Sequence, residues 1–151
     1  MVTSIIKNQL FNKMEKAAKD NKKEDKKVTK EADDGTMKDT HAYMVLGTRF
    51  EIDKRYEIID PIGSGAYGVV VAAKDTSLPE TDGQSNLVAV KKIVKAFEHR
   101  VFSLRTYREL KIQRLLEHEN VLGIKRILKP KDKKGFNEIY VISELMETDL
   151  A

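Results

Sequence analysis

The stretch Ile62-Gly63-Ser64-Gly65-Ala66-Tyr67-Gly68-Val69-Val70 decides how the rest of the chain is read. Tyr56-Glu57-Ile58-Ile59 leads into it and Val71-Ala72-Ala73 leads out, so the glycines of a G-x-G-x-x-G pattern sit between two strand-like runs. Glycine has no Cβ, so its backbone turns tightly and its N–H groups can come close to phosphate oxygens. The same spacing occurs in dinucleotide-binding folds, where the third glycine opens a helix. Here Tyr67–Ala73 is rich in valine and carries no helix-start signal, so it reads as a second strand. Strand, glycine turn and strand make a flap of the kind that folds over a nucleotide. The glycines by themselves also fit an ordinary hairpin with a mobile turn.

Strands are predicted at Tyr56–Gly63 and Tyr67–Asp75, followed by the polar loop Leu78-Pro79-Glu80-Thr81-Asp82-Gly83. A third strand covers Leu87–Val94, and a helix runs from about Phe102 to Glu117. Two more strands, Val121–Leu128 and Glu138–Glu144, flank the turn Lys129-Pro130-Lys131-Asp132-Lys133-Lys134-Gly135. Proline and glycine punctuate these loops as turn chemistry requires. The order β-β-β-α-β-β predicts an α+β fold, a five-stranded antiparallel sheet with one packed helix.

Val88-Ala89-Val90-Lys91 places a lysine at the close of an apolar strand. A nucleoside triphosphate needs donors, cations and an apolar slot, and Lys91 is the candidate cation. A lysine aimed into a site needs a carboxylate to hold it. On the predicted helix, Glu109 shares a stripe with Arg105, Ile112 and Leu116, which predicts that it faces the sheet. A carboxylate on such a stripe is costly unless paired, so a Lys91–Glu109 ion pair is expected. The alternatives are two solvated lysines, Lys91 and Lys92, and a surface Glu109 paired locally with Arg105 or Lys111.

Composition bounds the remaining possibilities. The 151 residues suffice for one domain and a tail. The absence of cysteine excludes disulfides and thiolate metal sites and fits a reducing compartment. His99 and His118 have no second ligand at metal spacing and His41, in the extension, has no assigned role, so no metal site is expected. No apolar run nears the roughly 18 residues of a membrane span. Lys7, Asn8 and Gln9 interrupt any signal-peptide core. The 28 basic and 24 acidic residues are interspersed and give a net charge of +4, without the clustered basic face of a nucleic-acid binder. A soluble intracellular protein is expected, placed in the cytoplasm, with the nucleus as an additional location.

Residues 1–48 read as a charged, largely disordered amino-terminal extension, and order is expected to begin near Arg49. Ile6, Leu10, Met14 and Ala17 or Ala18 recur at helical spacing. That pattern fits a frayed solvated helix, or one that lies on a membrane surface or in a partner's groove. From Lys19 to Asp39 the residues are too polar to bury a core.

Gly63, Gly65, Gly68 and Val70, with Val88-Ala89-Val90-Lys91 and Arg105-Thr106-Tyr107-Arg108-Glu109-Leu110-Lys111, resemble the nucleotide-binding small lobe of protein kinases. The stretch Glu138-Ile139-Tyr140-Val141-Ile142-Ser143-Glu144-Leu145-Met146-Glu147-Thr148-Asp149-Leu150 resembles the fifth strand and hinge of mitogen-activated protein kinases. His118-Glu119-Asn120 fits the same group, in particular its extracellular-signal-regulated branch, and Glu138–Met146 is also similar to Nemo-like kinases. The resemblance assigns residues 49–151 to an incomplete kinase domain that ends at the hinge.

What the resemblance implies is an ATP site. Gly63, Ser64, Gly65, Ala66, Tyr67 and Gly68 would cover the phosphates, Lys91 would meet the α- and β-phosphates, and Glu109 would hold Lys91. Ile62, Val70 and Ala89 would sandwich the adenine, Glu144 C=O and Met146 N–H would bond its edge, and Asp149 would lie near the ribose. Ser143 takes the gatekeeper position, usually larger in these kinases, so a pocket should open behind the ring. The family's catalytic base, its Mg2+ ligands and its phosphosites fall beyond Ala151, so the chain alone is expected to be inactive. Mg2+, an upstream mitogen-activated protein kinase kinase and protein substrates are expected only for the complete kinase. The competing expectation is a naturally truncated, non-catalytic binding or regulatory module.

Overall fold

The structure is a computed structural model that describes residues 35–79, 85–130, 132 and 135–148. The expected helix through Ile6, Leu10 and Met14 and the hinge residue Asp149 lie outside the described residues. The described elements run β1 (Thr40–Val45), β2 (Thr48–Asp53), β3 (Tyr56–Gly65), β4 (Gly68–Asp75), β5 (Leu87–Ile93), α1 (Arg100–Leu115), β6 (Ile124–Leu128) and β7 (Ile139–Glu144). Strands β3 to β7 form one five-stranded sheet in the order β3-β4-β5-β7-β6, every neighbouring pair antiparallel. This is the α+β sheet-and-helix architecture predicted from the sequence.

Side chains alternate across the sheet because successive residues of a strand point to opposite faces. Val69, Val71 and Ala73 of β4, Val88 and Val90 of β5, and Tyr140 and Ile142 of β7 form one buried cluster. Ile93, Ile139 and Val141 form a second cluster with Ala96 and Leu110 of α1's side of the sheet.

The first cluster is closed by a hairpin that the sequence reading placed largely in a disordered extension. Order begins before Arg49: β1 pairs with β2 from Thr40↔Asp53 to Val45↔Thr48. The two-residue turn is Leu46-Gly47, with φ of 47° and 74°, the left-handed pair that a tight hairpin requires. Leucine is an unusual occupant there, so the turn lacks the Asn-Gly signature that would have marked it. Phe50 and Ile52 are fully buried against the sheet, each contributing about 1.5–3 kcal/mol of burial. Alternation of Phe50 and Ile52 with charged Arg49, Glu51 and Asp53 supplies the driving force.

At the end of the hairpin, Arg55 grips Asp75 at the end of β4 through two parallel hydrogen bonds, Nε to Oδ1 at 2.9 Å and Nη2 to Oδ2 at 2.7 Å. Burial alone would raise the Asp75 carboxyl. Hydrogen bonds from Arg55 and Ser77, with the Arg55 charge, outweigh it and hold the carboxyl below its ordinary value of 3.8.

The helix packs differently from its expected stripe. Its buried residues are Ser103, Thr106 and Leu110. Ile112 and Leu116 are exposed, as are Val101 and Leu115. Ser103 Oγ donates to the His99 carbonyl at 2.9 Å, so this buried hydroxyl is satisfied within the helix's first turn. The loop between β5 and α1 is fixed by Asn137, whose carbonyl and Oδ1 accept the N–H groups of Ala96 and Phe97.

Candidate functional site

The candidate residues fall on the face of the sheet opposite the hairpin. Register aligns Val70 with Lys91 and Lys91 with Val141, giving one cross-strand row. The next row is Ala72, Ala89 and Ser143. Paired residues share a face, so a cation lies beside a row of small side chains. That juxtaposition suits a ligand with an anionic end and a flat apolar body.

Lys91 Nζ donates to Glu109 Oε1 at 2.7 Å, joining β5 to α1. Both side chains are about two-fifths exposed, 38% and 42%, so an incoming anion can reach the ammonium. Glu109 reaches Lys91 from the flank of the helix, not from the core-facing stripe expected for it. The local alternatives for Glu109 are resolved in part by Arg105, whose Nη1 donates instead to the Tyr67 hydroxyl at 3.0 Å.

The glycine turn closes between Gly65 and Gly68, which are paired in register, with Ala66 and Tyr67 at its tip. Gly68 has φ of 149°, and a Cβ there would stand 1.8 Å from the Lys92 carbonyl oxygen, so no other residue fits. Gly63 and Gly65 are different. A Cβ on either would meet no atom within 4 Å. Their lack of a side chain leaves space over the turn that the protein itself does not fill. Tyr67 at the tip stacks on Phe102 of α1, centroids 5.3 Å apart and planes at 15°. Phe102 and Arg105 as partners of Tyr67 were not foreseen, since nothing in sequence spacing links a turn tip to a helix 35 or more residues on.

Ile62 and Met146 are more than half exposed, at 53% and 56%. Glu144 closes β7 opposite Val88, and Ser143 sits opposite Ala89. Ser64 pairs with Val69 at the base of the turn. Among the described residues, no group of three or more His, Cys, Asp or Glu converges to hold a metal ion. No helix of the described residues is long and apolar enough to cross a membrane. A cavity of about 20 Å³ lined by Met37, Asp53, Arg55, Tyr56 and Leu128 lies on the hairpin side and is far too small for a nucleotide.

Known proteins carry the same pattern. The protein kinase domain family matches residues 56–151. Extracellular signal-regulated kinase 1 of Dictyostelium discoideum is 44% identical over 119 residues, covering 79% of this chain and 21% of that protein. Mitogen-activated protein kinase homolog 1 of Petunia hybrida is 44% identical over 110 residues, 73% of this chain and 27% of the relative. Mitogen-activated protein kinase 4 of rice, Oryza sativa subsp. japonica, is 46% identical over 110 residues, 73% of this chain and 28% of the relative. The chain thus spans about a quarter of the length of these curated relatives. The sheet, the helix and these matches make the chain a member of the protein kinase domain family, corresponding to the amino-terminal lobe of a mitogen-activated protein kinase.

Proposed function

We propose that this lobe binds Mg-ATP on the face carrying Lys91 and Ser143, as the nucleotide-holding half of a protein Ser/Thr kinase. The observation that carries the reading is the Lys91–Glu109 pair at 2.7 Å beside the glycine turn. Lys91 meets the α- and β-phosphates, and Glu109 keeps its ammonium from swinging into solvent. Backbone N–H groups of Gly63–Gly68 close over the phosphates, in the space that the missing side chains of Gly63 and Gly65 leave open. Ile62, Val70 and Ala89 pack the adenine ring. Glu144 C=O and Met146 N–H bond its edge.

The residues fit the nucleotide but not the metal, because the described residues supply no converging carboxylates. Mg2+ therefore enters with the nucleotide, and its protein ligands belong to the catalytic half of the kinase. The parent reaction is transfer of the γ-phosphoryl group to a protein Ser or Thr hydroxyl, in a chain activated by an upstream kinase.

A second reading, a non-catalytic binding module, is favoured by one observation. Val101, Ile112, Leu115 and Leu116 leave apolar surface exposed along α1. Isothermal titration with Mg-ATP separates the two. Saturable one-to-one binding lost in Lys91→Met supports the nucleotide reading. Heat changes identical in both proteins, or none in either, overturn it.

A further inference from the structure

Lys91 and Lys92 are neighbours on β5 that point to opposite faces, and each is met by a carboxylate. Lys91 faces the candidate nucleotide surface. Lys92 enters the core beneath the hairpin, its side chain 3% exposed, where its Nζ lies 2.7 Å from Oε2 of Glu138, the residue before β7. The same ammonium donates to the Arg49 carbonyl of β2. Its charge sits 5.6 Å from the Phe50 ring centre and 5.4 Å from that of Tyr140. The Tyr140 hydroxyl in turn accepts the Glu51 N–H of β2 at 2.9 Å. Burial pushes the Tyr140 phenol far above its ordinary value, so it keeps its proton at any physiological pH.

This arrangement is unusual for a position whose neighbours on the same face are Val88 and Val90. An ammonium in such a place is costly, and a methionine would fill the volume without that cost. What the charge adds is direction. It fixes β2, β5 and β7 to one another at a single point. That point lies directly behind the glycine turn, because the Lys92 carbonyl is the atom on which Gly68 rests. That carbonyl belongs to the peptide joining Lys92 to Ile93, one residue beyond Lys91 on the same strand. The hairpin, which precedes the residues matched by the kinase domain family, thus grips the strand segment that carries both.

We propose that Lys92 is a positioning residue for the nucleotide site, and that hairpin β1–β2 acts through it to hold Gly68 and Lys91 in place. The proposal deepens the nucleotide reading above and rests on it for its consequence, though the coupling itself does not need a ligand. It predicts that removing the Lys92 charge loosens the glycine turn without unfolding the sheet.

The test uses the full 151-residue chain, as wild type, Lys92→Met and Lys92→Arg. Amide exchange at Tyr67, Gly68 and Val69 is measured without nucleotide, then Mg-ATP affinity and thermal melting. In K92M, exchange at Gly68 should rise about tenfold while the melting midpoint holds within about 4 °C. Mg-ATP should bind about tenfold more weakly, and K92R should recover most of both losses. A lysine that merely stabilised the core would move the midpoint and leave local exchange in proportion to it.

Wild-type exchange at Gly68 in K92M overturns the proposal. Should K92M fail to fold, Glu138→Ala decides instead, because Glu138 is half-exposed and its loss leaves the aromatic contacts packed. An acceleration at Gly68 of about threefold or more supports the coupling, and none refutes it. A wild-type chain that binds no Mg-ATP sinks the nucleotide reading, while the exchange data still decide the coupling.

Discussion

Lys91 and Glu109 stand 18 residues apart in sequence and meet at 2.7 Å, one from the sheet and one from the helix. Both are partly solvated, so the pair contributes only about 0–1 kcal/mol to stability. Its value lies in placing a cation. Lys91→Met should therefore leave the melting midpoint almost unchanged while weakening Mg-ATP by about 10- to 100-fold, the worth of one charge-assisted hydrogen bond. Glu109→Gln should weaken it less, since the amide still accepts from Lys91. Parallel losses of stability and affinity in Lys91→Met would point to a structural lysine.

The glycines of the turn should separate by substitution. Gly68→Ala drives a Cβ into the Lys92 carbonyl and should cost at least about 3 kcal/mol, or prevent folding. Gly65→Ala meets open space and should fold with a loss of under about 1 kcal/mol, yet hinder phosphate approach. Denaturant midpoints and nucleotide titrations of the two variants check this. Equal stabilities for Gly68→Ala and Gly65→Ala would contradict the geometry.

Strands β3 to β7 were legible because each is a short β-branched run bounded by glycine, proline or charge. Their ends moved by a few residues where polar context was ambiguous. Val121 and Leu122 read as the start of β6, yet pairing begins only at Ile124 and leaves them exposed. The hairpin was not legible, since Leu46 carries a left-handed φ that sequence assigns to asparagine or glycine. The helix misled for another reason. Periodicity takes apolar residues to mark the core, whereas Ser103 and Thr106 pack inward and Ile112 and Leu116 face out. The Lys91–Glu109 pair could be anticipated from residue type, but the partners of Tyr67 could not, because they depend on how the turn leans.

The Arg55–Asp75 pair gives stability a defined pH dependence. The Asp75 carboxyl is depressed in the folded state, so its contribution is full above the unfolded value of 3.8 and falls away as pH drops through the lower folded value. Asp75→Asn should cost about 3 kcal/mol at neutral pH, because it removes the carboxylate that accepts two Arg55 hydrogen bonds in a largely buried place. As pH falls below 3.8 and through the lower folded value, the gap between variant and wild type should narrow. Urea titrations at neutral and acid pH measure it, and a pH-independent gap would rule out the pair as its source.

Ser143 stands opposite Ala89, so two small residues share the row behind the proposed adenine slot. Bulky adenine-mimicking inhibitors should bind this lobe well, and Ser143→Met should weaken them by about tenfold or more through steric exclusion. Affinity for Mg-ATP itself should change little. Equal inhibitor potency in both proteins would end this expectation.

The most direct test of the central claim is a titration of the isotopically labelled chain with Mg-ATP, followed through its backbone amide shifts. The expected result is saturable change confined to Gly63–Gly68, Ala89–Lys91 and Ser143–Met146, with Phe50 and Ile52 of the hairpin unmoved. Saturable change centred elsewhere, or no change at millimolar nucleotide, would contradict a nucleotide site on this face of the sheet.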